Sequence, residues 1–522
     1  MYMEYKESTN PVITLIRKIP GQVRYAFFSA LVFGIFAQGM GLFNKLSHHD
    51  DVASLFDTGT TISSGRWMLR VFEWLEGLFY GTGNTSLPLF NGVVSLLCIG
   101  AVAGLLVQML KIRSRIYSAL LGCVMAAFPV VTALFAYMFT SHPYMIGLLA
   151  MTLSACLICA KLPWWTKIIA VCMGGAAVGI YQAYLPVFVT VLLLNDIMIL
   201  AEESDSFSMK AFWIHVGIQI LCVIGVMLVY AAGNRFFLNK YQMELSGYQG
   251  IDEMGRMTLG TLLDRCATAY REYFNPMPGA FRDMYPGTVR YLYYLMLAAE
   301  GVLALRLIIR TMKKGAVRAA LLGLLFALMP LGCNMIFVMA ENVHGLMVYG
   351  QVMQVVLFVW MADRLDFTFP RLNRIASGAA ACALALLAVM YARFDNQCYL
   401  KDMLHQQEAI SYYTTVITRI KSLPGYRPDM EVLFANTENA KDPTVYNIDE
   451  LDFIRLNPYW HNSYEYLHSL TREQFIKVWC GADFSWAWDP ELQFSPEVQA
   501  MPSYPADGSI MIMNDQTVVV KF

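Results

Sequence analysis

The chain has 522 residues, of which 57% are hydrophobic and only 15% are charged. A soluble protein carries about 25% charged residues, so this composition excludes an ordinary soluble enzyme, and it also excludes a disordered chain. The net charge is −1, from 38 basic and 39 acidic residues, which leaves no overall basic surface for nucleic acid. The 11 cysteines are scattered, mostly in apolar runs, and predict neither a disulfide framework nor a metal site.

Eleven apolar runs predict an all-α polytopic membrane protein, because about 20 helical residues cross the hydrocarbon core. Two of the runs are short, so we expect the count to hold to within about two. The first run has basic flanks but no small-residue cleavage site, and we interpret it as a retained helix. The runs lie at about 25–43, 90–110, 117–138, 145–160 (short), 168–185, 187–201 (short), 211–232, 289–309, 319–339, 344–362 and 375–391.

The distribution of basic residues predicts the orientation. With residues 1–24 inside, the inner segments hold eighteen Lys and Arg residues, whereas the short outer turns hold none. The longer outer loops, 44–89 and 233–288, hold three and six. This bias predicts a cytoplasmic N-terminus, and an odd number of crossings places the C-terminus outside.

The composition changes after the transmembrane domain, which we place at 25–391. Residues 392–522 hold ten basic and eighteen acidic residues, a net charge of −8. A helix is predicted over about 400–422, followed by strands at 431–435, 509–513 and 517–520. We therefore predict a small extracytoplasmic α+β domain at 392–522.

Two adjacent carboxylates, Asp50 and Asp51, follow the first predicted membrane helix. Carboxylates at a helix exit can act as a general base or hold a cation, and the alternative is an acidic, solvated loop. Gly65-Arg66-Trp67 comes next and precedes an amphipathic stretch over 68–80, which predicts a helix lying in the membrane interface. Arg66 suits phosphate oxygens, and the alternative is an anchor to lipid headgroups.

Further polar residues are predicted on the outer side, at the ends of distant helices. Residues 141–144 and 341–344 are predicted as outer turns, and 181–184 end an apolar run. Ionisable groups near membrane depth are costly, so their convergence indicates function, although interfacial anchoring and local ion pairs are simpler interpretations. The predicted cavity consists of His49, His142, Tyr144, Tyr181, Gln182, Tyr184, Tyr273, Glu341, Asn342 and His344.

The order of these motifs resembles that of a known group of enzymes. A retained first helix, an acidic pair and an interfacial helix are similar to the GT-C class of polytopic glycosyltransferases. Asp50-Asp51, Gly65-Arg66-Trp67 and Tyr181-Gln182-Ala183-Tyr184 resemble the type II glucosyltransferase family of O-antigen glucosylation, over about residues 25–400. The resemblance implies a polyprenyl-phosphate-sugar donor, with glucose as the default sugar. It also implies a cell-envelope glycan acceptor at the outer face of the bacterial cytoplasmic membrane.

The resemblance also implies roles for individual residues. The family's outer-loop aspartate corresponds to Asp50 or Asp51, and we favour Asp51 because it is farther from the helix end. The acceptor hydroxyl needs a base, and the departing phosphate needs positive charge, for which Arg66, Arg271 and Arg282 are candidates. A divalent cation at the two aspartates is allowed but not required, and the stereochemistry is open.

Two other functions are consistent with the sequence. A transporter or flippase of lipid-linked sugars is one, although the chain has few mid-helix charges and no visible two-half repeat. A ligase or polymerase that uses another lipid-linked glycan is the second, and it differs mainly in its donor. The large outer domain favours an enzyme over a carrier.

Overall fold

The computed structural model describes residues 18–46, 49–55, 61–81, 85–202, 207–246, 258–275, 287–367, 369–436 and 472–522. Most of the described chain is helical, and the long helices run back and forth through one bundle. The helices up to residue 201 are α1 (Gly21–Phe43), α2 (His49–Ala53), α3 (Trp67–Tyr80), α4 (Pro88–Met109), α5 (Arg115–Ala126), α6 (Pro129–Phe135), α7 (Met138–Cys159), α8 (Trp164–Ile180) and α9 (Leu185–Ala201). The later ones in the bundle are α10 (Met209–Tyr241), α11 (Leu259–Tyr273), α12 (Gly287–Met312), α13 (Ala316–Cys333), α14 (Ile336–Met339), α15 (Val352–Ala362) and α16 (Pro370–Lys421).

Each predicted apolar run falls on a helix. Within the described residues, nine helical segments are long and apolar enough to cross a membrane. The two shorter apolar helices are α8 and Tyr349–Ala362, rather than the runs at 145–160 and 187–201 that we predicted to be short. Those two runs belong to the longer helical segments Met138–Cys159, of 22 residues, and Gln182–Ala201, of 20 residues. The segments are longer than the apolar runs because each helix begins at residues that precede the run and include polar ones. The chain is therefore a polytopic helical membrane protein.

Helix α1 has one face toward the bundle and one face away from it. Its buried face is mostly made of small residues, among them Ala26 and Ala30, which let neighbouring helices approach closely. At Gly122 of α5, an added Cβ would lie 2.2 Å from the Ala26 carbonyl oxygen, so glycine is needed there. The opposite face carries exposed Phe28 and Val32 and is suited to lipid.

The run predicted at 117–138 forms two helices, α5 and α6. Pro129 begins α6, since proline fits the first turn of a helix but not its interior. The break frees backbone carbonyls, and side chains from elsewhere satisfy them. Gln38 Nε2 donates to the Ala126 oxygen at 3.2 Å, and the Tyr349 hydroxyl donates to the Met125 oxygen at 3.3 Å.

The C-terminal part is a mixed sheet with short helices. Helix α16 has 52 residues and continues through residue 392 without interruption. The strands lie where the sequence predicts them, with one additional two-residue strand. The elements are β1 (Glu431–Ala435), α17 (Arg472–Trp479), β2 (Ser485–Trp486), α18 (Pro490–Gln493), α19 (Pro496–Ala500), β3 (Ile510–Met513) and β4 (Thr517–Lys521). The strand order is β2-β1-β4-β3, with β1 parallel to β2 and β4, and β3 antiparallel to β4.

The sheet unit packs against the loop that follows α1. Val52 of α2 belongs to the same buried cluster as Tyr413 of α16 and Phe475 of α17. Gln406 of α16 donates from Nε2 to the Lys45 backbone oxygen at 3.1 Å. The sheet unit therefore lies on the side of the bundle where α1 ends and α4 begins, which we call the first-loop side.

Candidate functional site

Asp51 joins three parts of the first-loop side. Its side chain is fully buried, and its Oδ2 lies 2.5 Å from Lys45 Nζ. Its Oδ1 accepts from Ser86 Oγ at 2.5 Å and from the Phe139 amide at 3.0 Å. Phe139 is in the first turn of α7, where amides have no partner within the helix and a negative charge is favourable. Asp51 therefore fixes the first loop to the start of α7.

Asp50 lies in a different environment from its neighbour. It is exposed on α2, whereas Asp51 is buried. His49 begins this short helix, and its side chain lies outside the described part. The two carboxylates are thus suited to different tasks, because Asp51 is buried among its hydrogen-bond partners and Asp50 is exposed.

Gly65 is where the first loop meets the segment 181–184. It has a φ of +72°, and an added Cβ would lie 2.6 Å from the Tyr230 hydroxyl and 2.7 Å from Gln182 Nε2. Gln182 Nε2 donates to the Ser64 backbone oxygen and to the Tyr230 hydroxyl, both at 3.1 Å. Only glycine combines this backbone conformation with this close approach. Two motifs that lie more than a hundred residues apart in the sequence are therefore in contact.

Trp67 anchors the start of α3 between two other helices. Added Cβ atoms at Gly179 of α8 and Gly233 of α10 would lie 2.5 and 2.4 Å from its ring atoms. Its ring stacks on Phe237 with centroids 5.4 Å apart. The far end of α3 presents Phe79 and other exposed apolar side chains, as an interfacial helix should.

Arg66 rests on a pair of stacked tyrosines. The rings of Tyr144 and Tyr181 are nearly parallel, with centroids 4.3 Å apart. The Arg66 guanidinium lies 5.3 Å from the Tyr181 centroid, and its Nη1 donates to the Tyr144 hydroxyl at 2.9 Å. Tyr184 packs edge-on against Tyr181 at 5.2 Å. This arrangement holds a half-buried positive charge in a fixed orientation, which suits binding of phosphate oxygens.

His344 is half-buried on the turn at 341–344. Burial, together with the positive charge of Arg66, lowers the pKa of His344 below its ordinary value. Glu341 and Asn342 are exposed on the same turn.

His142 pairs with a residue that the sequence did not single out. Its Nε2 lies 2.5 Å from Glu76 Oε1 of α3. The prediction of an outer turn at 141–144 is wrong, because these residues form the first two turns of α7. The polar side chains suggested a loop, but Ser141 Oγ donates to the Met138 oxygen at 2.9 Å and Asp51 accepts from the helix start.

Glu76 and Lys45 are the two site residues that sequence reasoning missed. The spacing of Arg70, Glu73 and Glu76 showed that Glu76 lies on the polar face of α3, but nothing in the sequence linked it to His142. Lys45 showed no pattern with Asp51, because α1 ends at Phe43, before Lys45, and Asp51 belongs to the separate helix α2.

Two predicted residues make their described contacts elsewhere. The Tyr273 hydroxyl donates to Glu300 Oε1 of α12 at 3.3 Å, and Gln354 donates to the other oxygen of that carboxylate at 3.1 Å. The side chain of Arg271 is 65% exposed, and its Nη2 donates to Thr268 on the same helix.

Arg282 lies outside the described residues. Within the residues that are described, no group of three or more His, Cys, Asp or Glu side chains is arranged to hold a metal ion.

The fold and the site define a polytopic membrane protein with carboxylates, an arginine and stacked tyrosines at one face of the bundle, a layout suited to a membrane-bound transferase. Residues 39–361 match the family described as glucosyl transferase GtrII. The match covers more than half of the chain, so the protein belongs to this family and is a membrane glycosyltransferase, as the motifs indicated. No curated protein and no solved structure matches the chain.

Proposed function

We propose that the protein transfers glucose from a polyprenyl-phosphate donor to a cell-envelope glycan at the outer face of the bacterial cytoplasmic membrane. The observation that carries the proposal is the placement of Arg66 on Tyr144 and Tyr181, beside the helix α7 whose start binds Asp51. Positive charge and carboxylates thus meet at one end of the bundle. Family membership supports the sugar and the reaction class.

The donor phosphate is proposed to bind at Arg66. As the bond to the sugar breaks, negative charge grows on the phosphate oxygens, and a fixed guanidinium stabilises that charge. Tyr144 and Tyr181 hold Arg66 in place, so little side-chain freedom is lost when the phosphate binds. Arg271 and Arg282 remain candidates for binding the donor phosphate.

Asp50 is the better placed of the two candidate bases. It is exposed on α2 and accessible to an acceptor, whereas Asp51 is fully buried. Asp50 is proposed to take the proton of the acceptor hydroxyl as that oxygen attacks the anomeric carbon. Asp51 is proposed as a positioning residue that holds Lys45 and the start of α7.

The surroundings suit a lipid donor on one side and a glycan on the other. The exposed apolar face of α3, with Trp74, Leu78 and Phe79, is proposed to lie along the lipid chain of the donor. The sheet unit supports α2 through Val52 and is proposed to border the entrance of the acceptor. An outer location fits the predicted orientation, in which the first-loop side is extracytoplasmic.

The proposal is tested with purified protein in nanodiscs. Short-chain polyprenyl phosphates carrying glucose, galactose or N-acetylglucosamine are offered with an envelope glycan acceptor. Acceptor-dependent release of polyprenyl phosphate, largest for the glucose donor, supports the proposal. Transfer only from a pyrophosphate-linked oligosaccharide would indicate a ligase. Movement of a fluorescent lipid-linked sugar across proteoliposomes, without transfer from any donor, would indicate a flippase.

A further inference from the structure

A groove of about 530 Å³ lies at the end of the bundle opposite to the candidate site. It runs between the start of α1 and the start of α5, and its lining includes Arg24, Tyr25, Phe28, Val32 and Arg115. Helix α1 has 23 residues and ends near Lys45. At 1.5 Å per residue, the groove is about 30 Å from the first-loop side, on the other face of the membrane.

The groove is lined by two positively charged side chains, Arg24 and Arg115. Within the described residues, neither Arg24 nor Arg115 has an acidic partner. The Arg115 guanidinium lies over the ring of Tyr25, 5.6 Å from its centroid, which directs it into the groove. Arg24 Nε is buried and has no hydrogen-bond partner among these residues. Two neighbouring guanidiniums of like charge favour an anion between them.

Apart from Gly21 and Ser29, the rest of the groove is lined by large apolar or aromatic side chains that are exposed on α1. Tyr25, Phe28 and Val32 lie three and four residues apart, so they form one stripe that leads from the arginines toward the middle of the membrane. All three are exposed, with Val32 at 69%. A ligand that fills this groove therefore needs an anionic head and a hydrocarbon chain.

We propose that this groove binds the phosphate of an anionic phospholipid in the leaflet on that side of the membrane. Guanidinium groups bind phosphate oxygens in pairs, and basic clefts between membrane helices on the cytoplasmic side recognise anionic headgroups. The excess of Lys and Arg in the inner segments places this side of the bundle at the cytoplasm. The phosphate bridges Arg24 and Arg115, while an acyl chain covers Phe28 and Val32.

The proposed lipid joins two helices that already pack closely. Arg24 is on α1 and Arg115 is on α5, and Gly122 of α5 approaches the backbone of α1 at Ala26. A phosphate between the two arginines adds a further link at the helix ends, beside the hydrogen bond from Gln22 Nε2 to the Arg113 oxygen at 3.0 Å. We therefore expect the bound lipid to raise the melting temperature of the protein.

Native mass spectrometry of the full chain in detergent tests the proposal. The wild type is expected to retain dioleoyl phosphatidylglycerol, but not dioleoyl phosphatidylcholine, and phosphatidylglycerol is expected to raise its melting temperature. The double variant Arg24→Gln/Arg115→Gln should bind phosphatidylglycerol at least about tenfold more weakly, since it lacks two charge-assisted contacts. Arg24→Lys/Arg115→Lys keeps the charge and should bind at an intermediate level.

The matched control is Arg371→Gln/Arg374→Gln. These two exposed arginines lie at the start of α16, on the same side of the bundle, where Tyr117 of α5 donates to the Ser377 oxygen. The control variant should retain phosphatidylglycerol like the wild type. Equal loss in both double variants would overturn the proposal, because it would show general attraction to basic residues. Equal retention of phosphatidylcholine would also overturn it, as would binding of glycerol 3-phosphate without retention of lipid.

The lysine variant keeps the test valid if the glutamine variant does not fold. It should melt like the wild type in phosphatidylcholine, which shows that it folds. A lysine variant that folds and retains phosphatidylglycerol more tightly than the wild type would contradict the assignment of guanidinium pairs as the ligands.

Discussion

Replacing Asp51 by asparagine removes a charge at a point where three segments meet. The amide oxygen can still accept from Ser86 and from the Phe139 amide, as Oδ1 does now. The amide nitrogen then faces Lys45 Nζ, which lies 2.5 Å from Oδ2, so two donors are opposed. The variant should therefore lose the ion pair while keeping its shape.

The size of the effect follows from burial. Asp51 is fully buried and the Lys45 side chain is 27% exposed, so water screens the pair only partly. Removing one partner of a buried ion pair lowers the free energy of unfolding by about 3–5 kcal/mol. Because Lys45 is partly exposed, we expect a smaller loss of about 2–3 kcal/mol. The melting temperature in detergent should fall clearly for Asp51→Asn and stay unchanged for Asp50→Asn, its exposed neighbour.

A double variant separates the ion pair from other effects. In Asp51→Asn/Lys45→Gln, the glutamine oxygen can accept from the asparagine nitrogen, so part of the lost stability should return. The measurement is thermal unfolding followed by scanning fluorimetry, for the two single variants and the double variant. If Asp51→Asn melts like the wild type, the reasoning from burial and charge is refuted.

Three other predictions concern the same side of the bundle. Arg66→Lys should raise the KM for the donor by about tenfold. A lysine lacks the planar group that lies over the Tyr181 ring and that binds two phosphate oxygens at once. Initial rates measured against donor concentration check this prediction. Gly65→Ala should lower the melting temperature as well as activity, since its Cβ would meet Gln182. The control is Gly77→Ala, where an added Cβ has no neighbour within 4 Å. The pKa of His344 is lowered from 6.5 in the folded protein, so the unfolded chain binds the proton more readily. The free energy of unfolding should therefore fall as the pH drops below about 6.5. Thermal unfolding measured across pH checks this, and His344→Gln should show a weaker dependence on pH.

Hydropathy predicted the helices because lipid imposes a strong constraint on sequence. A segment in hydrocarbon has to be apolar and long enough to cross the membrane. Each of the eleven predicted apolar runs therefore coincides with one of the nine long or two shorter apolar helices in the described part of the chain. The same rule misjudged segments that begin with polar residues. Residues 141–144 are helical, and their polar side chains have partners there: the Ser141 hydroxyl donates to the Met138 oxygen, and His142 pairs with Glu76.

The motifs were visible in the sequence, but their partners were not. Gly65 and Gln182 were each singled out, yet only the structure shows that a missing Cβ at one makes room for the other. The contact of His142 with Glu76 depends on how α3 lies over α7, which hydropathy does not encode. The different burial of Asp50 and Asp51 is likewise invisible in sequence, because the two residues are adjacent and chemically identical.

The most direct test of the central claim is acceptor-dependent release of polyprenyl phosphate from polyprenyl-phosphate glucose, measured for the wild type and for Asp50→Asn. The account predicts release by the wild type, and loss of nearly all of it in Asp50→Asn with an unchanged melting temperature. Full activity in Asp50→Asn, or wild-type protein that releases no polyprenyl phosphate from any of the donors, would contradict it.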